Sequence, residues 1–101
     1  MKINGHTRVA GIFGDPISHT LSPAMHNAAY AELNLNWVYV AFPVKDVPGA
    51  VAGIRALGFR GSSVTIPHKV SVMPHLDKLD PVAEWIGSVN TIVNDQGVLT
   101  G

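Results

Sequence analysis

Hydrophobic positions along the chain come in short runs that alternate with stretches of helical spacing. Residues 8–14 form an apolar run halted by Gly14-Asp15-Pro16, which predicts a strand entering a turn. A polar loop spans 17–21. Ser22-Pro23 then opens a helix, with Ser22 at the N-cap and Pro23 at the first helical position. Met25, Ala28, Ala29 and Leu33 share one face of it, and Asn34 and Asn36 suit its end. Residues 37–42 are β-branched and aromatic and predict a second strand, ended by Pro43. Asp46 can cap a second helix with Val47, Val51, Ile54 and Leu57 on one face and Gly58 at its C-terminus. Residues 61–66 read as a third strand stopped by Pro67. Two short helices follow, 70–79 and 81–86, separated by Asp80-Pro81. Residues 89–93 read as a fourth strand, and Asp95-Gln96-Gly97 turns it into a hairpin with 98–100.

Strands alternating with helices predict an α/β domain: three layers, αβα, around a mixed, mostly parallel sheet that ends in an antiparallel hairpin. At 101 residues the chain has the length of one domain, 1–101, with no internal repeat, low-complexity tract or linker. Its last residue, Gly101, has no capping element after it, which suggests a piece of a longer protein.

Composition narrows the function classes. Seven Lys+Arg balance seven Asp+Glu, which speaks against a general nucleic-acid binder. With 47% hydrophobic and 14% charged residues the chain has material for a core, and so few charges that part of its surface reads as meant to be covered. No apolar run is long enough to cross a bilayer, and residues 1–6 lack a secretory apolar segment, so the expected location is the cytoplasm, away from membranes. The absence of cysteine excludes disulfides, thiolate catalysis and Cys-based zinc sites. The five histidines form no HExxH or close ligand pair, so no metal site is expected.

In parallel α/β sheets, ligands bind beyond the carboxyl ends of the strands. Three polar clusters are candidates. Ser18, His19, Thr20 and Ser22 lie between the first strand and a helix start, where hydroxyls beside helix amides suit a small carboxylate. The alternative is that Ser22 only caps its helix and Thr20 only makes a turn. Thr65-Ile66-Pro67-His68-Lys69 follows the third strand. Lys69 is expected at the start of a helix, whose dipole disfavours a cation there, so its amine is suited to proton transfer. The alternative is a solvated surface lysine. Ser88-Val89-Asn90-Thr91 opens the fourth strand, and a polar Asn90 in an apolar strand needs a partner: a ligand or a neighbouring loop. No G-x-G-x-x-G or Walker A loop is present, so no cofactor-binding residues are expected in this chain.

Together the clusters resemble the shikimate dehydrogenase family. The resemblance rests on Gly14-Asp15-Pro16-Ile17-Ser18-His19-Thr20-Leu21-Ser22-Pro23-Ala24-Met25-His26-Asn27, then Val64-Thr65-Ile66-Pro67-His68-Lys69, then Gly87-Ser88-Val89-Asn90-Thr91, in order and separation. It implies an N-terminal shikimate-binding domain. An NADP-binding Rossmann domain and a catalytic Asp from an Asn-Thr-Asp-Gly segment are not contained in 1–101. It also implies NADPH-dependent reduction of 3-dehydroshikimate to shikimate, in aromatic amino-acid biosynthesis. Thr20 and Ser22 would hold the carboxylate. Thr65, Lys69 and Asn90 would contact ring hydroxyls, with Lys69 the acid/base. The chain by itself is expected to be inactive, and a homodimer of the whole enzyme is compatible with the sequence. Thr20 stands where the family usually has Ser, and Ser63 where it often has Asn, which bears on shikimate against quinate preference. A quinate/shikimate dehydrogenase of broader specificity and a stand-alone, non-catalytic carboxylate-binding module are the alternatives.

Overall fold

The computed structural model describes residues 2–101. Five strands, β1 (Arg8–Gly14), β2 (Trp37–Pro43), β3 (Gly61–Val64), β4 (Thr91–Asp95) and β5 (Val98–Thr100), form one sheet in the order β2-β1-β3-β4-β5. Three helices connect them: α1 (Ser22–Glu32), α2 (Val47–Leu57) and α3 (Pro81–Ile86). β1 pairs in parallel with β2 and β3, while β4 runs antiparallel to both β3 and β5. The expected mixed α/β sheet and its terminal hairpin are therefore present, but β4 as well as the hairpin departs from the parallel direction. Gln96 and Gly97 make the hairpin turn with φ of 51° and 91°, the left-handed region such a two-residue turn demands.

Side chains alternate across the strands and build a core on each face. On one face Phe13, Val64, Ile92 and Leu99 meet Val51 and Ile54 of α2, together with Val72 and Val89. On the other, Ala10, Ile12 and Tyr39 pack with Ile17, and Tyr30 of α1 lies against them. α2 follows its pattern: the Asp46 carboxylate accepts from the Gly49 amide, Val47, Val51 and Ile54 are buried, and Gly58 closes the helix at φ 68°. Leu57 departs from it and is exposed.

α1 departs further. Its expected apolar face is turned to solvent, with Met25 66% and Leu33 68% exposed. The helix instead covers the outer edge of β2 through a polar residue. The Asn27 amide donates to the Tyr39 carbonyl at 2.9 Å, and the Tyr39 amide donates to Asn27 Oδ1 at 2.8 Å. An edge strand leaves main-chain groups unpaired, and a carboxamide satisfies both kinds at once. His26 stacks on the Tyr39 ring at 4.1 Å.

Residues 70–79 are not a helix; only Met73–His75 form one tight turn. Pro74 removes an amide, and the Asp77 and Lys78 amides donate to the Leu99 carbonyl, which leads this segment alongside β5. Sheet pairing wins over the helical pattern. The Asp77 carboxylate completes the clasp, accepting from the Leu99 amide at 2.8 Å and from Arg55 at 2.9 Å. The Leu99 hydrogen bond, and then Arg55, hold the Asp77 carboxyl below its ordinary value. A lowered folded value means stabilisation that is present above the ordinary carboxylate range and lost as pH falls through the folded value. Asp77→Asn should therefore flatten the fall in melting temperature between neutral pH and about pH 3, below the ordinary aspartate range. Equal slopes in both proteins would show that this clasp does not titrate with folding.

Candidate functional site

The site candidates gather where β1, β2 and β3 end, and the antiparallel direction of β4 brings a fourth element to that end. Ser63 lies opposite Thr91, so β4 begins where β3 finishes. The Val64 amide donates to the Asn90 carbonyl at 2.8 Å, which fixes Asn90 beside Thr65. Had β4 been parallel, Asn90 would have sat at the opposite end of the sheet.

Three backbone expectations need correction. Leu21, not Ser22, occupies the N-cap of α1, and it makes no side-chain cap. Thr20 Oγ1 takes that part by accepting from the Ser22 amide at 3.2 Å. The Ser22 hydroxyl then has no protein partner among the described residues. No helix begins at Lys69: β3 ends at Val64, Thr65 and Ile66 lie beyond it, and a turn follows, so no helix dipole acts on the Lys69 amine. Asn90 lies outside β4, which starts at Thr91, and its exposed side chain accepts from Thr91 Oγ1 at 3.1 Å rather than sitting unpartnered in a strand.

Main-chain hydrogen bonds knit the loops together. Thr65 N donates to the Phe13 carbonyl at 2.9 Å, and Asp15 N to the Ile66 carbonyl at 3.1 Å. Val44 N donates to the Gly14 carbonyl at 3.0 Å, and Val89 N to the Lys69 carbonyl at 2.8 Å. Gly14 is needed for this closeness, because a methyl there would come 2.5 Å from Thr65 Cγ2. Both prolyl bonds in these loops, Asp15–Pro16 and Ile66–Pro67, are cis.

Lys69 and Asn90 line one cleft of about 630 Å³, with Ser88, Thr91, Asp80 and the apolar Val82, Ile86 and Val93. Lys69 is exposed and has no ion pair among the described residues. Thr20, in the loop between β1 and α1, and Ser22, the first residue of α1, lie outside that cleft, and half-buried Thr65 packs against Gly14 at the end of β1. Hydroxyls, a carboxamide and an amine thus cluster at one end of the sheet, a set suited to a small polyhydroxylated anion.

Sequence reasoning missed three residues. Tyr39 reaches from β2 to β3, and its hydroxyl donates to Ser63 Oγ at 2.9 Å. Asn27 secures the edge of β2. His68 is 8% exposed, and its Nε2 hydrogen-bonds to the Val44 carbonyl. Alternation alone could have placed Tyr39 with Ala41 on an inward face; nothing local signals the other two.

The turn after β1 does not fit a dinucleotide. It offers one glycine and an amide-less proline, and its Asp15 pairs with Lys45 at 2.9 Å, where a pyrophosphate needs free amides and no carboxylate.

The chain is similar to known enzymes over nearly all its length. A shikimate dehydrogenase (NADP(+)) of Desulforamulus reducens is 55% identical over 102 residues, covering 99% of this chain and 35% of that protein. A crystal structure of shikimate 5-dehydrogenase from Listeria monocytogenes in complex with shikimate and NAD matches with a TM-score of 0.96 at 50% identity, covering 100% of this chain and 36% of that one. A shikimate dehydrogenase structure in complex with NADP+ matches with a TM-score of 0.96 at 46% identity, over 99% of this chain and 36% of that one. The chain thus spans about a third of the length of these relatives. The family model described as the shikimate dehydrogenase substrate binding domain matches residues 12–92, and the chain belongs to that family.

Proposed function

We propose that residues 1–101 are the shikimate-holding part of an NADP-linked shikimate dehydrogenase, which reduces 3-dehydroshikimate to shikimate. The observation that carries this reading is the convergence of Lys69 and Asn90 in one cleft, beside Thr65, whose amide donates to Phe13 near the end of β1, the strand that leads into residues 20–22. Shikimate has a carboxylate at one end and hydroxyls around its ring. Ser22, whose hydroxyl is free, and Thr20 receive the carboxylate, while Thr65, Lys69 and Asn90 face the hydroxyls. NADP is the cofactor and is held by residues outside 1–101. In this reading the enzyme works in the cytoplasm, in aromatic amino-acid biosynthesis, and forms a homodimer, with neither nucleic acid nor membrane as partner. The Listeria monocytogenes relative was crystallised with shikimate, which supports the substrate class.

Titration of the chain with shikimate, followed by NMR, tests the site. Shifts should concentrate at 20–22, 65–69 and 88–91. Ser22→Ala should weaken binding by roughly 1–3 kcal/mol, the worth of a hydrogen bond to a charged group. Because Ser22 caps nothing, the same change should alter stability by no more than about 0.5 kcal/mol. Wild-type shifts elsewhere, or an unaltered affinity in Ser22→Ala, would refute the assignment.

A further inference from the structure

We infer that His68 is a positioning residue that sets where the Lys69 amine stands, and so how ring hydroxyls are held; this rests on the substrate reading above. His68 is 8% exposed, in a loop otherwise mostly open to solvent: Ile66 is 73% and Val70 63% exposed. Its Nε2 hydrogen-bonds to the Val44 carbonyl, in the connection between β2 and α2. A carbonyl only accepts, so Nε2 carries the proton and the imidazole donates. Val44 in turn donates its amide to Gly14, at the end of β1. The imidazole is thus a side-chain tie between the loop bearing Lys69 and the connection after β2, which is itself bonded to the end of β1.

The main chain around His68 is bound on both sides. His68 N donates to the Thr65 carbonyl at 3.0 Å, and Val72 N donates to the His68 carbonyl at 3.1 Å. One residue on, the Lys69 carbonyl accepts from Val89, next to Asn90. The Lys69 side chain has no ion pair among the described residues and is held only through its backbone. A flexible four-carbon stem keeps its amine on target only when its Cα is fixed. His68 fixes it: a donor anchored in the protein beneath an amine left free for substrate.

The test separates donor from volume. His68→Phe keeps a ring and loses the donor, whereas His68→Gln places an amide nitrogen close to the position of Nε2. His68→Phe should weaken shikimate binding by about 10-fold, since one contact to the ring is misplaced. Binding of cyclohex-1-ene-1-carboxylate, which keeps the carboxylate and lacks the hydroxyls, should stay unchanged. His68→Gln should restore shikimate affinity. Loss of both ligands to the same degree would mean a general structural role and would overturn the inference. So would unchanged shikimate binding in His68→Phe. If the wild-type chain binds no shikimate, the substrate reading fails, and the positioning claim is judged by amide exchange instead. Val72 and Val89 amides should exchange faster in His68→Phe and at the wild-type rate in His68→Gln; unaltered exchange rejects it. Should His68→Phe not fold, the ¹⁵N spectrum of wild-type His68 decides. A proton on Nε2, slow to exchange, supports the tie, and a proton on Nδ1 alone removes it.

Discussion

Lys69→Ala, made in a polypeptide that carries this domain together with the remainder of the enzyme, should lower turnover by about 10²–10⁴-fold, the usual worth of a positioned acid/base. The substrate hydroxyl must lose its proton when shikimate is oxidised, and the forming alkoxide must gain one in the reverse direction. The Lys69 amine stands in the cleft with Asn90, with no ion pair among the described residues. Position carries the assignment, since no helix begins beneath it. The Michaelis constant should change less than turnover if, as proposed above, Thr20, Ser22, Thr65 and Asn90 hold the substrate. Lys69→Met, which keeps more of the side-chain volume, should behave like Lys69→Ala. Steady-state kinetics decide the matter: near-normal turnover with a raised Michaelis constant would make Lys69 a binding residue only.

Leu99→Ala should destabilise the chain by about 2–5 kcal/mol, within the range for emptying a core position. Leu99 has 0% exposure, and its side chain belongs to the core built on α2. Its main chain also receives the Asp77 and Lys78 amides and donates to the Asp77 carboxylate. Domains of this size are stable by only about 5–15 kcal/mol in total, so the loss is a large share. A fall in melting temperature of at least about 8 °C is expected by calorimetry. A smaller fall would mean that the core closes over the space or that β5 contributes little.

Much of the architecture was legible because it depends on neighbours in sequence. β1 needed only its apolar run and the Gly14-Asp15-Pro16 stop, and its bounds match the reading. α2 needed its Asp46 cap, its spacing of apolar residues and Gly58. α3 was legible from the Asp80-Pro81 break before it, although its caps, Asp80 accepting from the Val82 amide at 2.9 Å and Gly87 at φ 80°, were not read from the sequence. The β4–β5 turn was readable from Gln96-Gly97. The candidate site was legible as three clusters, because hydroxyls, an amine and an amide at strand ends are chemical statements about residue type.

What escaped the sequence depended on partners distant along the chain. Residues 70–79 have helical spacing, yet Asp77 and Lys78 bond to β5 instead, and Leu99, more than twenty positions away, leaves no local trace of its carbonyl. Apolar spacing in α1 pointed to Met25 and Leu33, but the edge of β2 needed main-chain partners, and Asn27 supplied them. His68 and Val44 are 24 positions apart, and their bond exists only because β2 and β3 both pair in parallel with β1, which sets their following loops at one end of the sheet. By itself the sequence determined the five strands and α1, α2 and α3 as element types, the caps of α2, the hairpin and the chemistry available at the strand ends. Only the tertiary structure decided that β4 runs antiparallel, and with it that Asn90 joins Lys69, because strand direction is chosen by the packing of whole elements and not by any residue's own preference.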